Sequence, residues 1–230
     1  ASVSESSEPP VQTEDKPFPI VVLISGSGSN LQAIIDSRTK LEPAIEIRAV
    51  ISNNPDAYGL QRATRNNIAG KVVNHRDYPE RSAYDAALIA EIDSHQPQLV
   101  VLAGFMRILT SEFVNHYTGR LINIHPSLLP LYPGLNTHQR AIDNGDTEAG
   151  ATVHFVTPEV DGGPVIIQAH VPVLGTDSNN SLSSRVLKQE HLIYPRAIHW
   201  FAQGRLTIEN DRVFLDGRIS PKQQVFTDEK

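Results

Sequence analysis

Five short apolar runs rich in β-branched residues, at 20–24, 45–52, 71–74, 99–103 and 121–124, alternate with helical patterns at 30–38, 57–67, 80–94 and 110–118. A helix between two strands carries the chain back to the edge where the first strand began, so the next strand pairs parallel to it. The rhythm predicts an α/β fold with a doubly wound, mostly parallel sheet, Rossmann-like in its N-terminal half. From residue 151 the rhythm changes. ATVHFVTP and GPVIIQAHVPV read as two strands joined by EVDG, a helix follows over about 179–202, and RLTIEN and RVFLDG end the pattern. These are expected to lie beside the parallel core as additional C-terminal strands and a covering helix. Ligands of such sheets collect beyond the carboxyl ends of the strands, which singles out 25–30, 104–109 and 125–134.

The 230 residues suit one domain, and 40% hydrophobic content is ample for a core. Residues 1–19 hold four prolines, four serines and four acids without apolar periodicity. They are expected to form a disordered leader, followed by a structured domain over 20–217 and a C-terminal tail over 218–230. The leader has neither the apolar middle of a secretory signal nor the arginines of a transit segment. No apolar run approaches the roughly 20 residues that cross a bilayer, so no membrane partner is expected. A formal charge of −6 offers no basic surplus to replace phosphate counterions, which argues against nucleic acid. The absence of cysteine excludes disulfides, thiolate metal sites and cysteine nucleophiles, and suits a reducing, cytoplasmic setting.

Between the first strand and the first helix lies Gly26-Ser27-Gly28-Ser29-Asn30. Glycines here can take positive φ and let a ligand approach the backbone, and the helix start adds free N–H groups and a positive dipole end. Leu31 stands where a dinucleotide fingerprint has its third glycine, and no Gly-Lys-Ser/Thr follows. The pattern fits one phosphate on a smaller molecule. It equally fits a plain strand-to-helix turn in which Ser29 or Asn30 caps the helix.

LINIHPSLLP, residues 121–130, is more specific. Residues two apart in a strand share a face, so Asn123 and His125 project together while Ile122 and Ile124 face away. Pro126 keeps His125 extended and ends the strand. An amide that can stabilise an oxyanion thus stands beside an imidazole that can carry a proton. The third element is Val160-Asp161-Gly162-Gly163-Pro164. Asp-Gly is a favoured turn pair, yet a carboxylate near His125 would also favour the imidazolium. Other arrangements are weaker. No HExxH or G-x-S-x-G motif is present, so His138, His154, His170 and His199 read as surface or packing residues and Ser127 as shaping its loop.

Four blocks in this order, GSGSNLQAIID, VVLAGFMRIL, INIHPSLLPLYPG and VHFVTPEVDGGPVIIQ, resemble the phosphoribosylglycinamide formyltransferases, a folate-dependent formyltransferase family. The likeness covers almost all of 20–217. It implies transfer of a formyl group from 10-formyltetrahydrofolate to the amine of glycinamide ribonucleotide, in purine biosynthesis, without a metal. Carried over by position, it makes Asn123, His125 and Asp161 the catalytic trio. Gly28, Ser29 and Asn30 become the ribonucleotide's phosphate contacts, and Leu187, Lys188, Gln189 and Glu190 a second ribonucleotide segment, with Glu190 holding the glycinamide amine. Met106, Arg107, Ile108 and Leu109 would line the pterin pocket together with Asn123. Thr157, Pro158, Glu159 and Val160 would run beside the pterin to Asp161, and Arg81 would approach the benzoylglutamate portion, unless it is a plain surface charge. Relatives with the same Asn-x-His centre but water or a charged tRNA as acceptor fit less well. The first usually adds an N-terminal regulatory domain and the second a basic C-terminal one. A non-catalytic nucleotide-binding module would leave the trio without a joint purpose.

Overall fold

The computed structural model describes residues 16–219 and 225–226. Its N-terminal half runs β1 (Phe18–Ile24), α1 (Ser29–Ser37), β2 (Ile45–Ser52), α2 (Gly59–Arg65), β3 (Gly70–Val72), α3 (Arg81–Ser94), β4 (Leu99–Leu102), α4 (Ser111–His116) and β5 (Leu121–His125). These five strands pair parallel in the order β3-β2-β1-β4-β5. After α5 (Thr137–Asp143), β6 (Glu148–Phe155) pairs antiparallel with β5, and β7 (Val165–Pro172) antiparallel with β6. The chain continues as α6 (Asn179–Ala202), β8 (Leu206–Glu209), β9 (Arg212–Leu215), β10 (Arg218–Ile219) and β11 (Val225–Phe226). β8, β9 and β10 form a small antiparallel sheet, and β11 adds to the edge of β7.

Both faces of the main sheet are covered, which is why its strands read as unbroken apolar runs rather than alternating ones. Ile20, Val22, Val101 and Ile122 pack with residues of α1, α2, α5 and α6 on one face. Val21, Leu23, Val100 and Leu102 pack with α3 and α4 on the other. The fold is therefore doubly wound, as the sequence rhythm implies.

Two boundaries and one helix differ notably from the sequence reading. β1 starts at Phe18, not at residue 20, because the Phe18 N–H reaches the Ala44 carbonyl at 2.8 Å and its ring stacks edge-on with Phe201. Residues 1–15 of the expected leader lie outside the described residues. The domain also does not stop at 217, since 218–219 and 225–226 pair as strands; the rest of 218–230 lies outside the described residues. Finally, α5 has no counterpart in the expected helices. Its seven residues hold only Ala141 and Ile142 as apolar members, too few for a period to show.

Candidate active site

The glycine turn sits where the strand order reverses, with β2 on one side of β1 and β4 on the other. Gly28 takes the cap position of α1 with φ 72° and ψ 30°, a left-handed conformation suited to glycine. It also packs against α2, where an added Cβ would lie 2.7 Å from the Gly59 Cα. The first helical bond is Gln32 N–H to Gly28 O at 2.9 Å, so the N–H groups of Ser29, Asn30 and Leu31 precede the helical ladder. No side chain caps this end, because Ser29 and Asn30 already lie inside the helix. The turn and the start of the loop after β4 border a cleft of ≈ 220 Å³, lined by Ser25 to Asn30, Ala103, Gly104 and Met106.

α6 brings a carboxyl group to the same place. The Tyr194 hydroxyl, fully buried, lies 2.6 Å from the Leu102 carbonyl and 3.2 Å from that of Ile122, which seats the helix under the end of β4 and the adjoining part of β5. One turn earlier, buried Glu190 accepts a hydrogen bond of 3.2 Å from the Asn30 amide. Leu187 and Gln189 are half-buried nearby and Lys188 is exposed, so Glu190 makes the direct link from this segment to the turn.

Burial pushes the Glu190 carboxyl up to about 7, with the Asn30 hydrogen bond acting in the opposite direction. A carboxyl favoured in its neutral form by folding contributes its stability at low pH. That contribution fades as pH rises from the ordinary carboxyl value through about 7. The displacement corresponds to about 3 kcal/mol. Glu190→Gln keeps an acceptor for Asn30 and removes the charge. Its Tm is expected to match the parent near pH 5 and to exceed it by roughly 5–10 °C at pH 8 in the substrate-free protein. Parallel melting curves across pH would show that the carboxyl is not held neutral.

Asn123 and His125 stand on one face of β5, with Ile122 and Ile124 buried on the other. The His125 ring is buried, and its Nε2 lies 2.8 Å from the Tyr132 carbonyl. A carbonyl only accepts, so Nε2 carries a hydrogen and Nδ1 is the nitrogen left for chemistry. Nδ1 faces Asp161 Oδ1 at 3.6 Å, longer than a hydrogen bond. Asp161 has φ 51°, and its other oxygen accepts from the Gly134 N–H at 2.9 Å. That bond ties the loop after β5 to the loop after β6. Gly163 is required behind it, since a Cβ there would collide with the Phe155 carbonyl oxygen. Asp161 thus occupies a turn and also stands beside His125. Ser127 shapes the loop, its hydroxyl donating to the Leu131 carbonyl at 2.6 Å.

His154 was not singled out by sequence reasoning, and the structure places it here. It lies opposite Asn123 in the β5–β6 register, buried, with Nδ1 2.9 Å from the Phe155 carbonyl. Nε2 is then a lone pair, 4.0 Å from Asp161 Oδ1, and it has no hydrogen-bond partner among the described residues. Burial pushes its pKa down and favours the neutral ring, opposed in part by the hydrogen bond to the Phe155 carbonyl and by Asp161. Two acceptors facing one another in this way suit a substrate group that brings its own N–H. Its partner on β5, Asn123 rather than a bare apolar residue, was the signal that could have found it. Of the other three histidines, His199 is buried and His170 and His138 are half-buried, as packing residues.

The other residues expected to meet the folate lie in two loops, apart from Arg81 on α3. Met106 and Ile108 are 68% and 61% exposed after β4, and the Met106 N–H is held by the Ser25 hydroxyl at 2.7 Å. Thr110 N–H to Asp85 at 2.7 Å closes that loop, beyond half-buried Leu109. Arg107 turns away, its guanidinium stacked 4.3 Å from the Tyr84 ring centroid, so only its backbone faces the loop's open side. Thr157 is half-buried, and Pro158, Glu159 and Val160 are exposed, the last at 68%. Met106, Ile108 and Val160 are exposed apolar side chains on these two loops. Arg81, exposed at the first position of α3, makes no contact with either loop in the hydrogen bonds and ion pairs of the described residues. Among the described residues no group of three or more His, Asp or Glu side chains gathers as a metal site.

The formyl transferase family model matches residues 18–198. The chain belongs to the formyl transferase family. Within it, the phosphoribosylglycinamide formyltransferase of Escherichia coli is 56% identical over 210 residues, 91% of this chain and 99% of that protein. The Haemophilus influenzae enzyme of the same name is 47% identical over 203 residues, 88% and 96% of the two chains. The solved structure of phosphoribosylglycinamide formyltransferase from Coxiella burnetii superposes with a TM-score of 0.86 at 53% identity, covering 90% of this chain and 97% of its own. Asn123, His125, Asp161, the glycine turn and Glu190 all lie inside the span matched by the family model.

Proposed function

We infer that this protein transfers the formyl group of 10-formyltetrahydrofolate to the amine of glycinamide ribonucleotide, giving formylglycinamide ribonucleotide and tetrahydrofolate for purine biosynthesis. The observation that carries this reading is the placement of a helix start with free N–H groups, for a phosphate, after β1 and of the Asn123, His125 and Asp161 cluster, for acyl transfer, at the end of β5, on the two strands that flank β4. Family membership over nearly the whole chain supports it. The reading places the protein in the cytoplasm, the setting a cysteine-free sequence suits; among the described residues no helix is long and apolar enough to cross a membrane.

The ribonucleotide phosphate sits on Gly28, Ser29 and Asn30, and the pterin lies between the Met106–Leu109 and Thr157–Val160 loops. Holding both substrates together removes much of the entropic barrier to attack. The amine adds to the formyl carbon, and negative charge grows on the formyl oxygen. The Asn123 amide and the Nδ1–H of protonated His125 donate to that oxygen. His125 needs no reorientation, because the Tyr132 carbonyl already fixes its ring. Asp161 takes the proton released by the attacking amine. Asp161 passes that proton to N10 of the folate, the C–N10 bond breaks as the oxyanion collapses, and the new amide C–N bond and a regenerated carboxylate remain.

The test is a spectroscopic assay of folate deformylation with glycinamide ribonucleotide present, with water alone and with methionyl-tRNA. Release is expected only with the ribonucleotide, in step with formylglycinamide ribonucleotide. Equal release in water alone would make the protein a hydrolase and overturn the reading.

A further inference from the structure

The glycine turn is gripped from behind by α2, an element to which no site role has been given. The Gly59 N–H donates to the Gly26 carbonyl at 3.0 Å. The Arg62 Nε donates to the Ser27 carbonyl at 2.7 Å, and its Nη1 reaches the Gln32 amide oxygen at 3.4 Å. The guanidinium lies 4.9 Å from the Tyr58 ring centroid, which limits its freedom. Arg62 does not line the cleft in front of the turn. It lines instead a groove of ≈ 510 Å³ between α1 and α6, on the outer side of the turn.

In a trans peptide the C=O and the next N–H point in opposite directions. Holding the Ser27 carbonyl toward α2 therefore turns the Gly28 N–H away from α2, toward the cleft that Ser27 to Asn30 line. Gly28 at φ 72° lets the chain enter α1 directly after that peptide. Without Arg62, the Ser27–Gly28 peptide is free to flip and present a carbonyl oxygen to an anion.

We propose that Arg62 is a positioning residue for the substrate's phosphate monoester, holding the Ser27–Gly28 peptide so that the Gly28 N–H joins those of Ser29 and Asn30 as donors. The guanidinium also places a positive charge behind the loop, where it attracts the dianion without touching it. This rests on the reading of the turn as the phosphate site.

Two variants test it. Arg62→Met keeps the stem on Tyr58 and loses every donor; Arg62→Lys keeps the charge and loses the fork. The measurements are KM and kcat for glycinamide ribonucleotide, inhibition by inorganic phosphate, affinity for a folate analogue, and Tm. Arg62→Met is expected to raise KM and to weaken phosphate inhibition by about tenfold each, with kcat at saturation and folate affinity within twofold of the parent. Arg62→Lys is expected to fall between, and it carries the test if the methionine variant does not fold. A general structural role would lower Tm and kcat and leave phosphate inhibition unchanged, which overturns the proposal. Ser29→Asp separates the two levels. If it abolishes phosphate inhibition while both Arg62 variants retain it, only the role of Arg62 fails. If it too leaves phosphate inhibition intact, the phosphate reading of the turn fails with it.

Discussion

His125→Ala is expected to lower formyl transfer by roughly a thousandfold at saturating substrates, the cost proposed for losing an oxyanion donor together with its proton. Affinity for a folate analogue is expected to stay within a few-fold, since the Met106–Leu109 and Thr157–Val160 loops make no contact through this ring in the hydrogen-bond pattern around it. Stability falls by about 1 kcal/mol, because the Tyr132 carbonyl loses the Nε2–H and retains the Ser127 hydroxyl at 3.3 Å. Single-turnover kinetics with a melting curve separates these effects. Turnover within tenfold of the parent, in a protein with normal Tm, would remove His125 from the reaction and leave Asn123 as the sole oxyanion donor on β5.

Much of this site was legible in the sequence because it depends on local rules. The two-residue spacing of Asn123 and His125 on a strand fixes their common face whatever else the chain does. The strand-to-helix junction at 24–29 places the glycine turn at a carboxyl edge for the same reason. What depends on long-range packing was less visible. From residue types alone Asp161 fits a turn as well as a partner of His125, and only the β5–β6 pairing, which brings its loop to within 3.6 Å of that ring, makes the proximity physical. His154 reads in sequence as a surface or packing residue, since only the antiparallel register that sets it opposite Asn123 brings its ring to the site. Glu190 was reached through a resemblance. Its physical reason is the Tyr194 anchor that seats α6 below β4 and β5, a contact between residues 92 apart in sequence. The extra strands at 218–219 and 225–226 gave no signal because two residues cannot establish an alternation.

Ser29→Asp places a carboxylate at the first residue of α1, where the phosphate dianion is expected to sit. Like charges near 4 Å repel by roughly 4 kcal/mol at the effective dielectric of a partly buried site, about a thousandfold in affinity. The helix itself tolerates the change. Its first turn contains no acidic residue, and a carboxylate there is favoured by the dipole and by the free N–H groups that follow. The same preference strengthens the effect, because the new side chain satisfies the very donors that the substrate needs. Glycinamide ribonucleotide binding is therefore expected to collapse, while a folate analogue, held by loops that do not include Ser29, binds as in the parent. Isothermal titration of both ligands to both proteins measures this directly. Parallel weakening of the two ligands would indicate damage to the whole cleft, and unchanged ribonucleotide affinity would place the phosphate away from the turn.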